Sequence, residues 1–237
     1  MKKFGVFMIL VLLLVSAASA ATVTVSPTKI DPGDTVTVDV QNLPDGAAFS
    51  LGIRGEFDVT PGDRFAFTAR NLVLPFSLGS GEVSAYSRGT EWTGVSAQMP
   101  DGTSASLINY ADANGEVRTT QAYTISSGTY SAVALDGRAA PAAGSVVTEV
   151  TMRGTKTGPD DGTISFAIDG ITYGTATVSV DVDGQRALSR TITIGSPPSD
   201  NGAPSPGGPA GAPPITEPPA TPAATVTSPD GKVSLAG

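Results

Sequence analysis

The sequence predicts an all-β fold: an immunoglobulin-like β-sandwich, as one large or two tandem units, followed by a disordered Pro-rich C-terminal tail. Three observations carry this. Short runs alternate apolar and polar residues, as in Val36, Val38 and Val40 against Thr35, Thr37 and Asp39, and a side-chain period of two lines one face of a strand. Turn pairs such as Asp169-Gly170 and Asp183-Gly184 separate the runs, because Gly accepts the positive φ of tight hairpins. From 21 to 195 no helical period is sustained, and Gly and Pro are too densely scattered for long helices.

The elements follow in order. Residues 1–20 combine Lys2 and Lys3, the apolar run Phe4 to Val15, and the small residues Ala18-Ser19-Ala20, the pattern of a cleaved secretory signal. Val23 and Val25 then alternate with Thr until Pro27, and Asp31-Pro32-Gly33-Asp34 makes a turn into Thr35–Val40. Pro presets φ for one central turn position and Gly takes the positive φ of the next. Strands are expected over 48–57 and 64–75, then over 82–87, 94–99 and 104–110. Asn114-Gly115 turns the chain into 116–125, and further strands follow at 130–135 and 146–153. The Asp-Gly pairs predict two final hairpins. Arg190 shares the parity of Leu188, Ile192 and Ile194 and is expected at a bulge or an edge. From Ser196 the composition becomes Pro, Gly, Ala and Ser/Thr, which buries too little apolar surface to offset ordering entropy. A short segment, 226–237, closes the chain.

Sliding the chain on itself shows a faint repeat. An offset of 99 places Ile53-Arg54-Gly55 on Met152-Arg153-Gly154 and Phe65 and Phe67 on Ile164 and Phe166. An offset of 95 places Ile30, Gly33, Val38 and Val40 on Ile125, Gly128, Val133 and Leu135. Two sandwiches, 21–117 and 118–195, would explain this; the alternative is one sandwich over 21–195. The stretch VTVSPTKIDPGDTVTVDVQNL resembles the opening strand pair of prokaryotic immunoglobulin-like modules and, more loosely, of cohesin domains. In layout the chain is similar to acidic, Cys-free ectodomains of archaeal and bacterial cell-surface proteins. That resemblance implies an envelope-associated structural or adhesive role with no active site to carry over.

Composition narrows the chemistry. The 237-residue chain has no Cys and no His, which removes thiol nucleophiles, Ser-His-Asp triads and ordinary zinc sites. A carboxylate pair remains as the route to a hydrolase, but the acidic residues sit mainly in turns, so the expectation is no enzyme. Loss of 1–20 leaves 12 basic against 22 acidic residues, a net charge of −10. Such a surface repels nucleic acid, whose binding needs Lys and Arg, and no membrane insertion of the mature chain is expected. Asp112, Asn114 and Glu116 alternate oxygen ligands around a Gly turn, as Ca²⁺ prefers, although turn geometry alone explains Asp, Asn and Gly there. No other cofactor is expected. Trp92, the single Trp, and Tyr86 form the candidate glycan platform, core packing being the competing reading. The expected partners are envelope or other surface proteins, or glycans. The carbohydrate-binding module is the rival to the adhesive role.

Overall fold

The computed structural model describes residues 21–196; the expected signal segment over 1–20 and the expected tail and terminal segment beyond 196 lie outside the described residues. Fourteen strands are described: Thr22–Ser26 (β1), Lys29–Ile30 (β2), Thr35–Gln41 (β3), Ala48–Asp58 (β4), Arg64–Leu74 (β5), Ser77–Arg88 (β6), Thr90–Gln98 (β7), Ser104–Tyr110 (β8), Glu116–Ala122 (β9), Gly128–Ala139 (β10), Ser145–Thr157 (β11), Gly162–Asp169 (β12), Gly174–Val182 (β13) and Gln185–Ile194 (β14). Helix is absent among the described residues. The strands form two seven-stranded sheets, β1-β3-β12-β5-β10-β7-β8 and β2-β14-β13-β4-β11-β6-β9. Their inner faces share one apolar core. All pairings between strands are antiparallel except the two-residue pairing of β2 with β14.

The alternation seen in the sequence becomes burial directly. In β3, Val36, Val38 and Val40 are buried while Thr35 and Gln41 are exposed. In β13, Ala176, Val178 and Val180 are wholly buried. The six phenylalanines at 49, 57, 65, 67, 76 and 166 are all core. Phe57 packs on Phe65 and stacks on Phe67, and Phe49 meets Phe76 edge-on with centroids 5.0 Å apart, within the range aromatic pairs favour. Gly55 makes room for this cluster, since a Cβ there would lie 2.7 Å from the Phe67 ring.

Of the two hairpins expected from Asp-Gly pairs, one forms. Asp183 and Gly184 take φ of 49° and 75° between paired β13 and β14, the positive pair that a tight hairpin turn demands. Asp169-Gly170 instead carries the chain from β12 in one sheet to β13 in the other. Positive φ at Gly170 therefore serves a corner between sheets. Arg190 is exposed on β14, in regular register opposite Val178; the irregularity of this pair, at Val180/Asp181, falls opposite Leu188 and Arg186 instead.

The chain does not divide at 117/118. Strands from either side of that point mix within both sheets, and the cut would separate β4 from β11, which pairs with every residue of β4. The repeat has a different structural meaning. The offset of 95 carries β3 onto β10, and that of 99 carries β5 onto β12, β4 onto β11 and β6 onto β13. In the sheets these matched strands lie interleaved, as β3-β12-β5-β10 and β13-β4-β11-β6. The two similar stretches pair with each other and share one core.

A buried lysine secures the loops beside this arrangement. Lys156 is fully buried, and its Nζ donates to Gly158 O at 2.6 Å, to Asp160 Oδ1 at 3.0 Å and to Asp45 Oδ1 at 3.4 Å. Asp45 Oδ1 also accepts from Gly158 N. The β3–β4 and β11–β12 loops are thereby tied together, and the ammonium finds the partners that burial demands.

Candidate functional site

The two ends of the sandwich are built differently. At the β1/β14 end, Val23, Val25, Ile30, Val36, Ile192 and Ile194 fill the space between the sheets. At the other end, edge strands β8 and β9 stand apart in separate sheets, and between them opens a cavity of about 480 Å³. Its walls come from β6, β9 and β11 on one side and β7, β8 and β10 on the other. Small side chains leave the space: Ala85, Ala97, Ala105 and Ala122 stand on its lining. Leu107, Met99, Tyr123 and Tyr130 supply its large apolar surface, and no lining side chain is charged. The volume falls within the range of ligand-sized sites, about 300–1,000 Å³.

The rim has limited polarity. Tyr130 is buried, its hydroxyl donates to Ser126 O at 3.0 Å, and burial pushes its pKa above the usual tyrosine value. Thr119 and Gln121 add polar groups from β9. On β8, apolar side chains face water on both sides: Leu107, at the cavity, is 42% exposed, and Ile108 and Tyr110, on the outer face, are 60% and 79% exposed.

Of the candidate cation ligands, Asp112 and Asn114 lie in the loop joining β8 to β9, and Glu116 opens β9. Asp112 Oδ1 accepts from Asn114 N at 2.8 Å and from Glu116 N at 3.0 Å, and Gly115 N donates to Asp112 O. These donors hold the Asp112 carboxyl below its ordinary pKa, the Glu116 amide first. Glu116 turns to other partners: Tyr86 Oη donates to Oε1 and Arg118 Nη2 to Oε2, each at 2.9 Å. The Tyr86 hydroxyl, then Arg118, lowers the Glu116 pKa, while burial, followed by the bond to Glu116, raises that of Tyr86. The carboxylate oxygens thus build the turn and an ion-paired cluster. Among the described residues no three acidic side chains gather as a metal-holding group.

Tyr86 and Trp92 do not share a platform. Tyr86 lies on β6, alternating with buried Ala85 and Ser87, and so faces out of its sheet, beneath the Arg118 guanidinium at 4.4 Å. Trp92 lies on β7 in the opposite sheet, alternating with buried Thr93. Its cross-strand neighbour is Tyr110 of β8, and the Arg64 guanidinium stands 5.9 Å from its ring. Gly62, Asp63, Arg64, Trp92 and Arg138 line a separate polar crevice.

Sequence reasoning missed both the cavity and Lys156. The available signal for the cavity was in β8, where SASLINY sets no apolar parity against a polar one. Such a strand faces no filled core on either side.

The site therefore belongs to a two-sheet all-β protein whose one open end carries an apolar cleft between free strand edges. No family model and no curated protein matches the chain. Among solved structures it is similar to AvmM, which catalyses macrocyclization in alchivemycin A biosynthesis, at 12% identity over 76% of this chain and 90% of that one, with a TM-score of 0.20. It is also similar to Spo0M, a sporulation control protein from Bacillus subtilis, at 11% identity over 75% of this chain and 50% of that one, with a TM-score of 0.16. At these scores neither likeness bears on the chemistry of the site.

Proposed function

We propose that this is a non-enzymatic, exported protein of the cell envelope, an immunoglobulin-like sandwich with a structural or adhesive role played through its open end. The observation that carries the reading is the pairing of an apolar cleft with exposed edge strands at that end. Main-chain groups on a free edge supply affinity and a cleft behind them supplies selectivity, as in strand-addition recognition. The export segment in 1–20 and the net charge of −10 without it suit a soluble module displayed outside the cell. Fractionation of native cells tests this: the mature chain should co-sediment with the envelope, and a Leu107→Asp change should release it into the medium. Cytoplasmic recovery with 1–20 intact, or envelope retention unaffected by that change, would refute it.

A second reading, glycan binding, is favoured by one feature. Trp92 and Tyr110 stand opposite each other on the outer face of β7 and β8, beside the polar crevice of Asp63, Arg64 and Arg138, a pairing of aromatic face and polar groups that suits sugars. Glycans should then shift Trp92 fluorescence, and Tyr110→Ala should abolish the shift. No fluorescence response across a panel of envelope glycans would remove this reading.

A further inference from the structure

Sheet edges carry unpaired N–H and C=O groups, and proteins blunt them with charge, Pro, bulges or very short strands. The four edges here are not treated alike. β2 is two residues long and β9 carries Glu116 and Arg118. β1 is five residues long, its valines are buried, and Pro27 follows it. β8 has none of these protections. Its seven residues, SASLINY, include no charge and no Pro, and its register with β7 is unbroken from Ser104 to Tyr110. It exposes Leu107 on one face and Ile108 and Tyr110 on the other.

We infer that β8 pairs antiparallel with β8 of a second copy, about a two-fold axis at Leu107. The inference rests on the reading that the open end is a contact surface, and it names the partner. The strand fits itself. With Leu107 opposite Leu107 on one face, Ile108 falls opposite Ser106 and Tyr110 opposite Ser104 on the other, so the large side chains of that second face each meet a serine. Cross-strand pairs of this kind are what stabilise a sheet, and no charge is placed opposite its like within the seven residues. The inner face gains as well: Leu107 and Ala105 line the cavity, and the axis brings the two cavity mouths together so that each copy closes the other. Only at the ends do like charges approach, because Asp112 of one copy falls opposite Gly102 of the other, one place from Asp101. Pairing therefore strengthens as salt screens these carboxylates. A C2 contact of one patch with itself is the commonest symmetry of soluble oligomers.

The absence of Cys allows a direct test on the mature chain, residues 21–237. Directly opposed residues in an antiparallel pair lie about 4.5–5.5 Å apart at Cα, within the roughly 4.4–6.8 Å a disulfide spans. Leu107→Cys should form a covalent dimer under mild oxidation, and Thr24→Cys on β1 should not. Light scattering of the unmodified chain should show a monomer–dimer equilibrium that tightens with salt. Ile108→Lys should weaken it at least tenfold without altering thermal unfolding of the dilute monomer, since Ile108 is exposed there. A mass that stays monomeric at millimolar concentration would overturn the inference. So would cross-linking no faster at 107 than at 24, or an Ile108→Lys chain that dimerises normally. Because fractionation reads location and scattering reads mass, an envelope-bound monomer would sink the dimer alone.

Discussion

The closed and open ends of this sandwich are made by the same kind of strand and differ in what fills the gap between sheets. At the closed end, β1, β3, β13 and β14 turn Val and Ile inward, and Val36, Val178 and Ile192 are wholly buried. At the open end, Ala85, Ala97, Ala105 and Ala122 stand on the cavity lining, and Leu107 remains 42% exposed. Apolar burial contributes about 25 cal/mol per Å², so the first end gains stability that the second forgoes. Giving up core burial while exposing uncharged apolar edges is what the proposed contact role requires of that end.

The largest expected effects break the comparison by deletion. Phe166→Ala, in the filled core, should cost about 3–5 kcal/mol by denaturant unfolding. Leu107→Ala, half-exposed at the open end, should stay within about 1 kcal/mol when measured on dilute protein. Equal losses at both sites would mean that the open end is part of the load of the core.

Insertion sharpens the contrast with a smaller effect. Ala176→Leu has no space and should destabilise by about 1–3 kcal/mol through overpacking. Ala97→Leu projects into the cavity and should be neutral or stabilising by up to about 1 kcal/mol. Calorimetry of the two variants would decide the sign. Lys156→Met lies in the same range: it keeps the volume and leaves Gly158 O without its buried donor, so about 1–3 kcal/mol should be lost. Asp45 and Asp160, both largely exposed, stay hydrated in that variant.

The smallest effect belongs to the loop between β8 and β9. Asp112 and Glu116 are held below their ordinary pKa values, so their contribution is present above the unfolded values, about 4, and is lost as pH falls through the lower folded values. Asp112→Asn should remove that contribution, lowering stability slightly at neutral pH, leaving strongly acid pH almost unchanged and so flattening the acid limb of the profile. An unaltered acid limb would show that the Asn114 and Glu116 amides do not stabilise the carboxylate.

Much of the fold was legible because alternation and turn chemistry are local. Val36/Val38/Val40, Phe65/Phe67 and Val178/Val180 each point to their inner face without reference to the rest of the chain. Pairing partners are not local. Asp169-Gly170 and Asp183-Gly184 look alike, yet the first turns between sheets and the second closes a hairpin, since the choice depends on where β4 and β5 already lie. The repeat was legible, while its consequence, two similar stretches pairing with each other, required the sheet order. The candidate site was legible only in part. Tyr86 and Trp92 are close in sequence but lie in opposite sheets, because the chain crosses from one sheet to the other at Gly89 (φ 80°). The cavity is an absence of volume summed over six strands, which no single run of residues carries. Lys156 was invisible for a similar reason: its partners Asp45 and Gly158 meet only across two loops.

Amide hydrogen exchange followed strand by strand, at dilute and at high protein concentration, addresses the difference between the two ends most directly. The account predicts that β8 amides exchange quickly in dilute protein and gain protection as concentration rises, while β1 and β3 keep the same protection throughout. Protection of β8 that is already high in dilute protein, or that ignores concentration, would contradict the open end as a contact surface for a second copy.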